Sequence, residues 1–340
     1  MPQVSVIIPT YNGERFLAET LESVFNQTFQ DYEIIVVNDG SSDNTAQLLR
    51  PYLSRIRYIE QPNQGVAGAR QRGFELAQGQ FIAFLDQDDV LLPDKLRLQL
   101  ACFAEYPETS IVHSGWRLID AVGHKLSDIL PWQDAPNLDV LSWLRRMPVL
   151  LSAMLFQREA LAAVGVDSRF QQACDVELIQ RLVLAGYQTV WLRQVTVLYR
   201  QHDRNDSLNT LVQAREVCQV QEQLFARADL PTEVRAIEKE CRYYTLVWLA
   251  WRFYYTNRLP EMAAYLERAI CYRPQTWTEA IMQWIDKFNQ YDLEYGRAFD
   301  LETLTQSAEW QRLIQKLLIQ QLDQMRQSHL RQSHRPRISP

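Results

Sequence analysis

An α/β fold is what the sequence predicts: a mostly parallel sheet with helices on both faces, followed by an all-helical carboxy-terminal region. Three features carry that expectation. Short β-branched or aromatic runs alternate with amphipathic stretches in the first half. Ten of the eleven glycines lie between Gly13 and Gly186, and only Gly296 lies beyond. Tight turns and close backbone approaches need glycine, whereas a helical array does not. Helical periodicity then dominates from about residue 209.

The runs VSVIIPT (4–10), EIIVVND (33–39), IRYIEQ (56–61) and QFIAFLD (80–86) read as strands bounded by turn residues. Between the first two, Leu17, Leu21, Val24 and Phe25 recur at helical spacing and make one apolar face. A second helix follows Ser41, Ser42 and Asp43, and a third runs from about Val66 to Gln78, ending at Gly79. Strand–helix alternation at this spacing calls for a parallel sheet. Further on, 110–120 and 123–128 read as strands about a turn at Asp120–Gly123. The stretch 175–187 reads as a helix closed by Gly186, with QTVWL and VTVLYR as two more strands. The domains expected are 1–208, a helical 209–328 and a disordered basic tail, 329–340. Leu246, Leu249, Ala250, Phe253, Leu266, Ala269 and Pro274 have a spacing similar to one tetratricopeptide repeat. No second copy follows, so ordinary helical packing is expected.

Composition removes several functions. Lysine and arginine number 35 against 41 aspartates and glutamates, a net charge of −6. A nucleic-acid partner is therefore not expected, because phosphate binding calls for a basic excess. Five cysteines without a C-x-x-C spacing argue against a disulfide framework and a structural zinc site. No signal-like start or membrane-length apolar run occurs, so a cytoplasmic location is expected.

Ligands gather at the carboxyl ends of strands in such sheets. Those ends read Thr10-Tyr11-Asn12, Asn38-Asp39 and Asp86-Gln87-Asp88-Asp89. Three carboxylates within four residues are unfavourable unless a cation joins them, and oxygen ligands suit Mg²⁺ or Mn²⁺. The plainer reading is a solvated acidic turn capping the helix near Pro93-Asp94. GVAGARQRG (65–73) lacks both the P-loop ending and the dinucleotide glycine pattern, leaving Arg70 and Arg72 to touch a diphosphate or brace the acidic cluster.

The ordered set VSVIIPTYN, VVNDGSSDNT, N-x-G-x-x-x-A-R and GQFIAFLDQDD resembles the family 2 glycosyltransferases, inverting enzymes with a GT-A fold. LFQREALAAVG, DVELIQRLVLAGY and LYRQHDRNDS extend the resemblance over roughly 3–208. The resemblance implies that Pro9, Thr10, Tyr11, Asn12 and Asp39 hold the base and ribose of a nucleotide-sugar. It places Gly65 and Arg70 beside the nucleotide and diphosphate. Asp86-Gln87-Asp88 matches the D-x-D motif, with Asp88 as metal ligand, His202 completing the site and Asp86 nearer the ribose or sugar. Asp175 matches the general base, against the plainer reading of a helix N-cap, and His202 could equally be a surface turn residue. Cys174 departs from the family by standing where Glu is usual. Gln71 replaces Asn without consequence for charge. Glu177, one helical step on, is not expected to substitute for the missing Glu.

The implied reaction moves a sugar from a UDP-, GDP- or dTDP-sugar to a glycan or lipid-linked acceptor with inversion. The alternative is a nucleotide-sugar-binding scaffold whose catalysis has lapsed, favoured by Cys174. Glycosidic hydrolysis leaves the Pro9–Asn12 and Asp39 strand ends with nothing to bind. A nucleotidyltransferase would need a basic glycine-rich loop where PTYNGER stands. Trp132 and Trp143, in the loop 124–147, are candidates for stacking on the acceptor or for core. The helical region is where a protein partner or the inner face of a membrane would engage.

Overall fold

The computed structural model describes residues 1–146, 149–272 and 276–333. The chain divides into two compact units: Met1–Ile237 with Glu294–Gly296, and Glu238–Leu293 with the residues from Arg297 onward.

In the first unit the strands are β1 (Val4–Thr10), β2 (Tyr32–Asn38), β3 (Arg57–Glu60), β4 (Phe81–Phe84), β5 (Val90–Leu91), β6 (Thr109–Ile119), β7 (Lys125–Ile129), β8 (Met154–Gln157) and β9 (Gln188–Arg200). Its helices are α1 (Leu17–Phe25), α2 (Thr45–Leu49), α3 (Gly65–Leu76), α4 (Lys95–Glu105), α5 (Val140–Arg146), α6 (Arg158–Val164), α7 (Cys174–Leu184), α8 (Thr210–Phe225) and α9 (Thr232–Ala236). The sheet order is β3-β2-β1-β4-β8-β6-β9-β5, with β7 on β6. From β3 to β4 every pairing is parallel, as is β6 with β9. The short β8 joins the two halves by antiparallel pairing with β4 and β6.

Alternation along β1 explains the two layers. Val4, Val6 and Ile8 pack on Leu17, Leu21 and Val24 of α1 and on Leu96 of α4. Ile7, with Ile35 and Val37, faces Ala69 of α3 and Leu178 and Leu182 of α7. Successive side chains of a strand point to opposite faces, so one β-branched run feeds two cores.

Several expectations are corrected. QTVWL and VTVLYR form one strand, β9, whose register against β6 shifts at Ser114–Trp116 instead of breaking the strand. The unit boundary falls at Ile237/Glu238, not at 208/209, and α8 and α9 count with the sheet. Val217, Val220 and Leu224 are buried on one face of α8, which needs that cover. The last helix continues through Ser333, into the tail expected to lack structure, while residues 334–340 lie outside the described residues.

The second unit holds α10 (Glu238–Tyr255), α11 (Leu259–Ile270), α12 (Trp277–Glu294), α13 (Leu301–Gln306) and α14 (Ala308–Ser333). Leu246, Leu249, Ala250, Phe253, Leu266 and Ala269 are buried as α10 packs on α11; Pro274 lies outside the described residues. Trp251 donates its indole N–H to the buried Asp292 at 3.1 Å. Among the described residues no helix is long and apolar enough to cross a membrane.

Lys95 is an ionisable group buried in the first unit. Lys95 Nζ is enclosed with the Gln99 amide oxygen at 2.6 Å and the Met154 carbonyl at 3.2 Å. Burial pulls its ammonium from the ordinary 10.5 down to about 7. Between these values the unfolded chain holds a proton that the folded one lacks, so stability rises with pH across that window. Lys95→Met is therefore expected to gain on the wild type as pH falls from 10 to 7, by at most about 1.4 kcal/mol per pH unit. Urea unfolding at pH 7, 8.5 and 10 measures this; a difference independent of pH would show that Lys95 stays charged.

Candidate active site

The end of β1 and the loop after β4 are stitched together by a residue that the acidic motif hides. The Gln87 carboxamide oxygen accepts from the Thr10 hydroxyl at 2.6 Å and from the Tyr11 N–H at 2.9 Å. Its amide donates back to the Tyr11 carbonyl at 3.0 Å. A Cβ on Gly13 would lie 2.5 Å from both Gln87 Oε1 and Thr10 Oγ1, so the close approach requires glycine there. Asn12, at φ 51°, takes the Ser42 N–H at 2.9 Å and gives its own N–H to Ser41 Oγ at 2.9 Å. Pro9 and Thr10 are buried, while Tyr11 stays 48% exposed, the one open aromatic face at this strand end.

Asp39, at the end of β2, is 2% exposed, and both its oxygens are engaged. It accepts from Gln61 Nε2 at 2.7 Å, from the Gln64 N–H at 2.9 Å and from the Gly65 N–H at 2.7 Å. The carboxylate thereby fixes the loop that opens α3. Gly65 itself has φ +80°, and a Cβ there would meet Gln171 Oε1 at 1.8 Å.

Arg70, on the inner face of α3, reaches the acidic loop: its Nη2 lies 2.5 Å from Asp86 Oδ1. Nη1 faces Cys174 Sγ at 3.4 Å, and Nε is buried without a hydrogen-bond partner. Burial disfavours the Arg70 cation, but the Asp86 charge and its hydrogen bond outweigh this and raise its pKa. Arg72 instead pairs with Glu75 on the outer face at 3.5 Å and takes no part. Burial pushes the Cys174 thiol up to about 12 despite Arg70, so it stands neutral where the family usually carries a carboxylate. Glu177 does not replace it, because Arg181 pairs with it at 2.5 Å.

Asp88 and His202, 114 positions apart, meet with Oδ2 and Nε2 at 2.8 Å. His202 leans on the Phe16 ring at 4.8 Å between centroids. Arg200, 2% exposed, holds the loop from behind: its Nε donates to the Asp88 carbonyl at 3.1 Å and its Nη2 to Glu19 at 2.6 Å. Its backbone N–H reaches Asp89 Oδ1 at 3.2 Å. Burial, then the charges of Asp88 and Asp86, lift Asp89 well above the usual carboxylate range. Asp206 is raised by the same causes. This excess of carboxylate is the setting that a hard divalent cation relieves, and Asp88 with His202 fit as two of its ligands. Among the described residues no three of His, Cys, Asp and Glu converge as a ready metal cage.

Asp175 lies in the first turn of α7, and its carboxylate takes the Val176 N–H at 2.7 Å. The N-cap position belongs to Ala173. Burial raises the Asp175 pKa, with Arg70 acting against it. Of the tryptophans, Trp143 is buried and stacked on His113 at 6.0 Å, a core residue. Trp132 is partly buried over Gly115.

Gln87, Arg200, Glu19, Phe16 and Asp206 were not singled out by the sequence. Arg200 and Asp206 stand inside LYRQHDRNDS, flanking His202, which was their only signal.

Residues 5–143 match the family described as Glycosyl transferase family 2. That segment belongs to glycosyltransferase family 2. An uncharacterised glycosyltransferase of Rickettsia prowazekii is 34% identical over 169 residues, 47% of this chain and 53% of that protein. The chain thus spans about half the length of that curated relative. Among solved structures, S. aureus TarS 1–349 in complex with UDP-GlcNAc aligns with a TM-score of 0.58 at 18% identity, over 87% of this chain and 90% of that one. The mannosyltransferase PcManGT of Pyrobaculum calidifontis, in complex with GDP-Man and Mn²⁺, aligns with a TM-score of 0.59 at 19% identity, over 86% and 84%. Likeness at this identity establishes the GT-A fold of the family 2 domain.

Proposed function

We propose that the protein transfers a sugar from a nucleoside-diphosphate sugar to a hydroxyl of a glycan or lipid-linked acceptor, with inversion and with the help of Mg²⁺ or Mn²⁺. The observation that supports this most is the meeting of Asp88 with His202, beside the Arg70–Asp86 pair whose guanidinium faces the start of α7. Neighbours of the same fold bound to UDP-GlcNAc, and to GDP-Man with Mn²⁺, agree with it.

In this reading Tyr11 offers its open face to the base, Asn12 and the loop fixed by Asp39 and Gly65 frame the ribose, and Arg70 stands near the diphosphate. Asp88 and His202 would hold the cation, and a cation bound there would supply Lewis-acid neutralisation of the diphosphate charge. Asp175 takes the proton of the acceptor hydroxyl as its oxygen attacks the anomeric carbon. The new C–O bond forms as the bond to the diphosphate breaks, and nucleoside diphosphate leaves. Base and leaving group act from opposite faces, so configuration inverts without a covalent intermediate. Leu318, Ile319 and Leu322 are exposed along α14, in the region proposed for a protein partner or a membrane's inner face.

The neutral Cys174 favours the second reading, a nucleotide-sugar-binding scaffold. Hydrolysis of UDP-, GDP- and dTDP-sugars with Mn²⁺, without acceptor, separates the two. Slow release of nucleoside diphosphate from at least one donor is expected. Binding without turnover across the panel would move the assignment to the scaffold, and neither binding nor turnover would defeat both.

A further inference from the structure

Three consecutive backbone amides converge on one side-chain oxygen in the first unit. The N–H groups of Gln171, Gln172 and Ala173 donate to Glu216 Oε2 at 2.8, 2.7 and 3.2 Å. Glu216 comes from α8 and is 7% exposed. Successive N–H groups pointing one way form an anion-binding concavity, and here the chain's own carboxylate fills it. Bonds from N–H groups to an ionised carboxylate are the stronger kind.

What lies at the two ends of this segment gives the contact its meaning. At one end the Gln171 side chain sits directly over Gly65, whose N–H is held by Asp39. At the other end Ala173 is the N-cap of α7, and a methyl group cannot cap a helix. Glu216 accepts the N–H of the cap residue and of the two residues before it, and it places a negative charge at the helix start, where the backbone dipole favours one. Cys174 and Asp175 follow immediately. Glu216 stands 41 positions further along the chain than Asp175.

We infer that Glu216 is a positioning residue for sugar transfer: it anchors Gln171–Ala173 and thereby holds Asp175 in its productive place. The inference rests on the function proposed above. It extends the catalytic apparatus into α8, beyond the family match at 5–143 and beyond the resemblance that ends near 208. A carboxylate that only filled space would be replaceable by any side chain of similar volume. One that fixes three amides is not, because Gln offers a neutral amide oxygen without the negative charge that strengthens bonds from N–H groups.

The test uses the full chain with Glu216→Gln, Glu216→Asp and Glu216→Ala. Amide hydrogen exchange of the 171–176 stretch is expected to quicken in the Gln and Ala variants. kcat is expected to fall at least about tenfold in Glu216→Ala, as displacement of a catalytic group by a fraction of an ångström can cost that much. Donor KM and nucleoside diphosphate affinity should change little, a split that general loss of structure would not give. Asp, with its charge retained, should recover part of the lost kcat. If the Ala variant does not fold, the Gln variant carries the same two readings. Unchanged exchange in a folded variant, or kcat near wild type with the anchor removed, would overturn the inference. Should the wild type transfer no sugar at all, the proposed function fails. The exchange comparison alone then decides the anchor: faster exchange upholds it and equal protection rejects it.

Discussion

Asp175→Asn is expected to reduce sugar transfer by about 100- to 10,000-fold, the usual contribution of a general base, while nucleotide affinity stays close to wild type. Asparagine keeps the size of the side chain and can still accept the Val176 N–H, but it cannot take a proton from the acceptor. The competing explanation of Asp175 as a helix cap predicts no such loss, since asparagine caps about as well as aspartate. In the structure Ala173 occupies the cap position, and Asp175 accepts the Val176 N–H from within the first turn.

A pH profile adds a second reading of the same residue. Burial raises the Asp175 pKa, Arg70 opposes the shift, and Asp86 adds to it. A base must be ionised to work, so transfer is expected to decline as pH falls through a value higher than that of an ordinary aspartate. Asp175→Asn should lose that acid limb along with the rate. Initial rates of wild type and variant between pH 4.5 and 8 measure both effects. Undiminished transfer in the variant would remove Asp175 from the mechanism and leave inversion without its base.

The first four strands and the three helices among them were legible because each is local: alternation, helical spacing and turn residues fall within a dozen positions of one another. β8 was not, because MLFQ is apolar without alternation and is a strand only by pairing with both β4 and β6. The two segments expected around Gln194 are one strand, because the irregularity on β6 at Ser114–Trp116 is absorbed by a register shift. At the site the residue types were visible but their pairings were not. Asp86 and Asp88 announced themselves as crowded charge. Gln87 between them looked like filler, yet it ties Tyr11 to the motif across 76 positions. Arg70 could be read as a phosphate ligand or a brace, and its 2.5 Å contact with Asp86 makes it a brace as the protein stands. Glu216 had no local signal at all: it is one acidic residue in a helix that obeys its own amphipathic pattern, and only the tertiary fold places three amides against it. Asp39 illustrates the same limit from the other side, since its position at a strand end pointed to a ligand while its carboxylate is already committed to the loop before α3.

Asp88→Ala is expected to abolish the gain in nucleoside diphosphate affinity that Mn²⁺ confers on the wild type. That gain should be at least about tenfold, or about 1.4 kcal/mol, if the cation joins the protein to the diphosphate. The fold should survive the change. The Asp88 backbone remains anchored, because Arg200 holds its carbonyl and not its carboxylate. Removing the side chain also takes away one of the charges that push Asp89 and Asp206 upward, so local repulsion falls. His202 loses its 2.8 Å partner but keeps its tilted ring contact with Phe16. Metal-free affinity should therefore be retained or slightly raised, since one negative charge has left the neighbourhood of an anionic ligand. Calorimetric titration of UDP, GDP and dTDP into wild type and variant, each with Mn²⁺ and with EDTA, measures all four affinities for each nucleotide, and a thermal scan of both proteins checks that the fold survives. Equal affinity with and without Mn²⁺ in the wild type would dismiss the cation from donor binding. A Mn²⁺ effect that persists in Asp88→Ala would place the cation on other carboxylates, with Asp86 and Asp206 the nearest to examine.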